Sequence, residues 1–301
     1  MNLAPIALFV YNRLTHTRRT VEALAKNDLA DGSDLFIFSD GPRSQADGET
    51  VDSVRKYLAS ISGFNSVTIV NRSTNLGCAA SIISGIGEIV NRFGRIIVVE
   101  DDIVTSPHFL RFMNEALELY RDDEEVASIH GYLYPVKKRL PGTFFLRGAD
   151  IWGWATWRRG WALFQPDGKK LLDELKGRRL TKAFDLDGSF YYTSMLESQI
   201  AGKLDTWDIN WHASAYLRGK LTLNPGRSLT RNIGNDNSGT HSNATDKFDT
   251  DISPDPVVVE RIPLKEDPAA REAIKEFFRS LTPPLYQRAL ARFGRMISGR
   301  G

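Results

Sequence analysis

The 301-residue sequence has one cysteine, no dominant charge sign and no long apolar run. A single cysteine excludes a disulfide framework and a cysteine-rich zinc site. Lys and Arg number 39 against 37 Asp and Glu, a formal net charge of +2. That balance gives no global field for nucleic acid, and none is expected as a partner. The apolar run Ile6–Val10 is too short for a signal h-region or a membrane span, so a cytoplasmic enzyme is the expectation. No G-x-G-x-x-G follows the first strand signal and no P-loop is present, which weakens a dinucleotide or P-loop reading. No H-E-x-x-H and no G-x-S-x-G occur, which argues against a zinc hydrolase and a serine hydrolase. Tryptophan is missing from the first half. All six, Trp152, Trp154, Trp157, Trp161, Trp207 and Trp211, fall within sixty consecutive positions.

What is present is an alternation of strand and helix signals. Pro5–Tyr11, Asp34–Ser39, Ser66–Val70 and Arg95–Val99 are apolar runs of strand length. Between them Thr15–Lys26, Asp47–Ile61 and Leu76–Phe93 carry apolar residues at helical spacing, and Pro107 opens another helix to about Tyr120. Continuously apolar strands separated by helices predict an α/β fold with a mostly parallel sheet flanked by helices. The second half is less regular. It offers short strands at Thr143–Leu146 and Lys220–Leu223 and helices at Leu171–Leu175, Tyr191–Ile200 and Asp208–Arg218. Residues 228–250 are polar and read as a long loop, the kind that serves as a lid. Two terminal helices, Ala269–Ser280 and Leu285–Ile297, flank Pro283-Pro284.

Ligands of such sheets bind beyond the carboxyl ends of the strands. Four polar groups stand there: Asn12-Arg13, Asp40-Gly41-Pro42, Asn71-Arg72 and Glu100-Asp101-Asp102. The acidic triplet supplies oxygen ligands suited to Mg²⁺ or Mn²⁺ bridging to phosphates; its plain alternative is a solvated turn capping the next helix. Asp40 could bond a nucleobase or ribose, or simply make a turn. Arg13 and Arg72 are placed for a diphosphate, or for surface ion pairs. Asp208 lies between Trp207 and Trp211, where apolar neighbours would raise its pKa toward general-base values; spacing alone favours a helix cap. His241, in the polar loop, could meet a metal or phosphate, or be solvated.

The order of these pieces resembles the GT-A fold nucleotide-sugar glycosyltransferases over about residues 5–242. It is similar to the inverting N-acetylglucosaminyltransferase I type and to bacterial sugar transferases. The resemblance implies that Arg13 contacts the donor diphosphate and Asp40 the uracil. It makes Asp102 the metal ligand, with Glu100 and Asp101 facing sugar and ribose. Asn75-Leu76-Gly77 resembles an N-x-G element lying close to the nucleotide. Ile151-Trp152-Gly153-Trp154 resembles the family's G-x-G-W segment and puts Trp152 and Trp154 near the donor sugar. Trp207-Asp208 is the match to the catalytic base. Ser228-Leu229-Thr230 and Gly239-Thr240-His241 resemble donor-closing elements.

The resemblance implies an inverting, metal-dependent transfer of a sugar from a nucleoside-diphosphate donor, UDP in the first instance, to a glycan or lipid-linked hydroxyl. It also implies one catalytic unit over residues 1–265, with a nucleotide and metal half (1–130) and an acceptor-side α+β half (131–265). Residues 266–301 are then C-terminal basic helices. A nucleotidyltransferase of similar fold and a non-catalytic carbohydrate-binding protein, with the tryptophans as its platform, are the alternatives. The segment from Arg271 to Gly301 carries a net charge of +5, leaving −3 for the rest. Residues 283–301 could therefore touch an anionic membrane face, or pack on the domain.

Overall fold

A computed structural model describes residues 2–237 and 245–281. Its first part is β1 (Ile6–Val10), α1 (Leu14–Ala25), β2 (Asp34–Ser39), α2 (Gln45–Leu58), β3 (Ser66–Asn71), α3 (Cys78–Phe93) and β4 (Arg95–Glu100). There follow β5 (Ile103–Thr105), α4 (Phe109–Leu119), β6 (Val126–His130), β7 (Thr143–Arg147), β8 (Trp154–Trp157) and α5 (Arg158–Trp161). The chain continues through α6 (Gly168–Gly177), α7 (Thr181–Phe184), α8 (Tyr192–Ile200), α9 (Asp208–Leu217), β9 (Leu221–Pro225), β10 (Thr230–Asn232) and α10 (Pro268–Leu281).

β1, β2 and β4 read as apolar runs because side chains alternate between faces along a strand and both faces of these three are covered, while the edge strand β3 is only half-buried. Ile6, Leu8 and Val10 of β1 join Leu35 and Ile37 of β2 and Ile97 and Val99 of β4 on one face. Val21, Leu24, Val54, Leu58, Leu110, Met113 and Leu117, from α1, α2 and α4, close that face. Ala7 and Phe9, Phe36 and Phe38, and Ile96 and Val98 point the other way. They meet Ile82, Ile86, Ile89 and Val90 of α3 and Trp211 and Ala215 of α9.

The eight-stranded sheet has the order β3-β2-β1-β4-β8-β6-β9-β7. β1 to β4 are parallel, β8 runs antiparallel between β4 and β6, and β7 runs antiparallel at the far edge. The fold is thus α/β, with a large central sheet flanked by helices. From β1 the chain steps outward to β2 and β3, then returns through α3 to β4 on the other side of β1. That reversal opens a crevice at the carboxyl ends of β1 and β4, where an open α/β sheet places its ligand. A two-stranded ribbon sits beside it: β5, starting just after Asp102, pairs antiparallel with β10.

Helix α3 contains two glycines with opposite surroundings. A Cβ on Gly85 would lie 2.5 Å from Phe9 Cε1, within the Phe9–Phe38 stack. A Cβ on Gly87 would meet nothing within 4 Å. In a helix interior alanine gains about 1 kcal/mol over glycine. Gly87→Ala is therefore expected to stabilise by up to about 1 kcal/mol. Gly85→Ala is expected to destabilise, because overpacking costs about 1–3 kcal/mol. Urea unfolding of the two variants checks both signs.

Helix α10 packs Ile274, Phe277 and Phe278 against Tyr134, Val136 and Leu146. Among the described residues no helix is long and apolar enough to cross a membrane. The expected helix at 285–297 and the expected membrane contact of 283–301 lie outside the described residues.

Candidate active site

The crevice between β1 and β4 opens into a cavity of about 650 Å³. Its walls come from the ends of β1 and β4, the start of α3, residues 149–152, the start of α9 and residues 232–235. This is within the ordinary size of a ligand pocket, about 300–1,000 Å³. Among the described residues seven acids line it: Asp40, Glu100, Asp101, Asp102, Asp150, Asp205 and Asp208. The cationic lining is Arg13 and Arg43. The overall charge balance of the chain therefore conceals a strongly acidic cavity.

Arg13 ends the β1 turn and leads into α1. Its backbone carbonyl accepts from Thr17 N at 2.9 Å, and its guanidinium turns back to the β4 end. There Nη2 donates to Asp101 Oδ1 and, at 2.8 Å, to Asp102 Oδ2. The other terminal nitrogen, Nη1, is buried without a hydrogen-bond partner among the described residues. An orphan guanidinium N–H on a cavity wall is a ready donor for an anionic oxygen. Asp101 and Asp102 together hold Arg13 charged. One cation does not balance three carboxylates. Burial, with Asp102 and Asp101 behind it, pushes Glu100 well above the usual carboxylate range. Burial, offset by Arg13, pushes Asp101 up to about 6.

The β5–β10 ribbon covers this cluster. Ile233 N donates to the Asp102 carbonyl at 2.8 Å, and Gly234 follows directly. A Cβ on Gly234 would collide with Asp102 Oδ2 and stand 3.1 Å from Arg13 Nη1. Glycine here keeps space beside a carboxylate oxygen and an unpaired donor. Among the described residues no three acidic, histidine or cysteine side chains converge as a metal cage. The donor set instead suits a cation that takes one or two carboxylates and completes its shell with water and phosphate oxygens, as Mg²⁺ does.

Asp208 is the first residue of α9. Its Oδ1 accepts from Ile209 N at 2.7 Å and from Thr206 Oγ1. Its Oδ2 takes no hydrogen bond among the described residues. The helix cap that spacing favoured is not made: Trp207 holds the cap position, Asp208 is the first helical residue and bonds only Thr206 and its neighbour Ile209, and its second oxygen is left over. Burial raises its pKa; the two hydrogen bonds oppose the rise and Asp150 adds to it.

The remaining expected residues divide. Asp40 lines the cavity, and its oxygens accept from Gly41 N, Leu76 N and Gly77 N at 2.9–3.0 Å. It fixes the loop that begins α3. Asn75 also lines the cavity and donates to the Gly41 carbonyl at 2.7 Å. Gly77, at φ 82°, is the cap before α3 and lines the cavity too. Arg72 does not line it: the guanidinium lies over the Phe38 ring and donates to Ser84 Oγ at 2.9 Å. Trp154 does not line it either. On β8 it is fully buried, 5.7 Å from the Trp211 ring and 6.0 Å from those of Trp161 and Trp207. Strand pleating sends Trp154 into this aromatic cluster. Trp152, two residues earlier, borders the cavity and meets Tyr132 edge-on. Trp211 is core as well, so the tryptophans form a buried stack more than a sugar platform. His241 lies outside the described residues. Asp150, Asp205 and Trp152 also line the cavity. No local spacing singled out the two acids.

A scan against protein-family models and a search of curated proteins each match nothing. Solved structures do match at low identity. The mannosyltransferase PcManGT from Pyrobaculum calidifontis, solved with GDP-Man and Mn²⁺, is 12% identical over 71% of this chain and 69% of its own, at a TM-score of 0.39. S. aureus TarS 1–349, solved with UDP-GlcNAc, is 13% identical over 76% of this chain and 57% of its own, at 0.43. S. aureus TarS matches at 13%, over 76% of this chain and 36% of its own, at 0.40.

Proposed function

We propose that this protein is an inverting glycosyltransferase that moves a sugar from a nucleoside-diphosphate donor to an acceptor hydroxyl. One observation carries the reading. A single cavity at the sheet reversal holds both a phosphate-type cluster, Arg13 with Glu100, Asp101 and Asp102, and a carboxylate of raised pKa, Asp208. Transfer needs both parts: stabilisation of a leaving diphosphate and a base for the attacking hydroxyl.

In this reading Arg13 Nη1 donates to the diphosphate, and the Gly234 backbone leaves room for it. Asp102 would hold Mg²⁺ or Mn²⁺ together with diphosphate oxygens, and Glu100 and Asp101 would face the donor's sugar and ribose. The cation, when bound, supplies positive charge to the departing nucleoside diphosphate. Asp208 takes the acceptor's hydroxyl proton as the oxygen attacks the anomeric carbon from the side away from the leaving group. The C–O bond to the diphosphate breaks as the new one forms, so configuration inverts. Asp40 and Asn75 shape the nucleoside end of the cavity.

Thermal shift with a panel of UDP-, GDP- and dTDP-sugars, each with and without Mn²⁺, tests this. The expected result is a clear rise in Tm for one nucleotide class, larger with Mn²⁺. No rise with any nucleotide, alongside binding of free glycans, would favour the carbohydrate-binding alternative.

A further inference from the structure

Behind the first cavity lies a second, of about 310 Å³, bounded by β7, α7, α9, β9 and α10. The two share one wall, made by Tyr134, Ala149, Asp150, Tyr192 and His212. Among the described residues Asp150 is the only carboxylate on that wall. Its Oδ2 accepts from Tyr134 Oη at 2.7 Å and its Oδ1 from Ile151 N at 2.9 Å. It has no cationic partner among the described residues.

The wall is built to hold Asp150 near Asp208. Both Asp208 and, one turn later, His212 belong to α9. His212 Nδ1 donates to the Ala149 carbonyl at 2.7 Å and so pins the segment carrying Asp150. Gly148, at φ 94°, lets that segment lie against the imidazole, since a Cβ there would strike Cε1. Burial keeps His212 below its ordinary pKa, and it adds no charge to offset Asp150.

The second cavity's other acids are already satisfied. Asp187 pairs with Arg271 at 2.7 Å and Lys275 at 3.0 Å, and Glu266 lies 3.6 Å from Arg271. Its apolar surface is aromatic: Tyr192 stacks on His212 at 4.4 Å, with Phe184 5.3 Å and Tyr216 6.3 Å from the imidazole. Aromatic faces suit the C–H face of a sugar ring, and a few polar groups fix its orientation. Arg147 and Arg271 line the cavity against Asp150, Asp187 and Glu266, so the described lining carries one negative charge in excess; it accepts hydroxyls and disfavours anions.

We propose that the second cavity binds a neutral, polyhydroxylated ring of the acceptor, with Asp150 accepting a hydrogen bond from it on the wall shared with the first cavity. This deepens the transfer reading and rests on it for the word acceptor; binding of the ring itself does not.

The test is ligand-observed NMR with the methyl glycosides of glucose, galactose, mannose and N-acetylglucosamine, plus methyl glucuronide. The intact chain is expected to bind at least one neutral glycoside and to bind the glucuronide at least about tenfold more weakly. Ala183→Trp, which fills the second cavity, is expected to abolish glycoside binding while the nucleotide-induced rise in Tm persists. Asp150→Asn, nearly isosteric, is expected to weaken binding at least about tenfold and so answers if Ala183→Trp does not fold. No glycoside binding to the intact chain overturns the proposal, as does binding indifferent to both substitutions or equal binding of the glucuronide. Glycoside binding that obeys these variants, in a protein no nucleotide stabilises, would uphold the second cavity and remove the transfer reading.

Discussion

Asp208→Asn is expected to lower kcat by about 10²–10⁴-fold, the usual contribution of a positioned general base. Nucleotide binding should be unchanged, because the phosphate cluster lies on β1, β4 and the β5–β10 ribbon. The substitution should also leave the fold intact or strengthen it. Asn Oδ1 can accept the same bonds from Ile209 N and Thr206 Oγ1 that Asp208 does. The folded pKa of Asp208 is raised, so its charge costs stability. That cost is fully present above the folded pKa and vanishes as pH falls below the unfolded value of about 3.9. Asp208→Asn should therefore raise Tm at pH 8 and do so less as the pH falls toward about 4. The acid limb of the kcat/KM profile should lie above the ordinary carboxylate range and disappear in the variant. Near-normal turnover with a neutral side chain at 208 would remove Asp208 as the base.

Arg13→Met is the second large effect. Asp101 is 5% exposed, and Arg13 is the cation that touches both it and Asp102. Removing one member of a buried pair typically costs about 3–5 kcal/mol, because an uncompensated charge stays behind. The Arg13 side chain is 18% exposed, so the lower end of that range is expected. Without Arg13 the Glu100 and Asp101 carboxyls climb further above their unfolded pKa. Their ionised forms then destabilise most at high pH and least once protonated. The loss in urea unfolding should be larger at pH 8 than at pH 5.5, and Asp101→Asn added to Arg13→Met should restore part of it. Nucleotide binding should fall as well, since Nη1 is the unpaired donor on the cavity wall. A change under about 1 kcal/mol at pH 8 would mean that solvent already neutralises the cluster.

The sheet's first half was legible in the sequence because burial on both faces leaves only apolar residues in β1, β2 and β4. The crevice followed from the same pattern, and with it the neighbourhood of Arg13 and Glu100–Asp102. The start of α9 at Asp208 was legible too. Other parts were not. β5 and β10 are three residues each and exist only by pairing with each other, so nothing local marks them. β8 is an antiparallel strand sealed on both sides by β4 and β6, and its Trp-Ala-Thr-Trp sequence hides which face each ring takes. The resemblance of Ile151–Trp154 put Trp154 at the donor sugar, and the pleat turns it into the core. Arg72 ends a strand, as expected, but Ser84 and the Phe38 ring draw its guanidinium away. Asp150 carries no local signal at all. Its place depends on Tyr134 and on a histidine sixty-two positions later in the chain.

The proposed transfer requires that a nucleotide sugar be cleaved in this cavity between the diphosphate and the anomeric carbon. ³¹P NMR of the protein with the stabilising nucleotide sugar, diamagnetic Mg²⁺ and the bound glycoside reads that bond directly. Growth of nucleoside diphosphate signals, dependent on Asp208 and accelerated by glycoside, is the expected result. Release of pyrophosphate would contradict it in favour of nucleotidyl transfer, and an unchanged spectrum despite nucleotide binding would contradict transfer altogether.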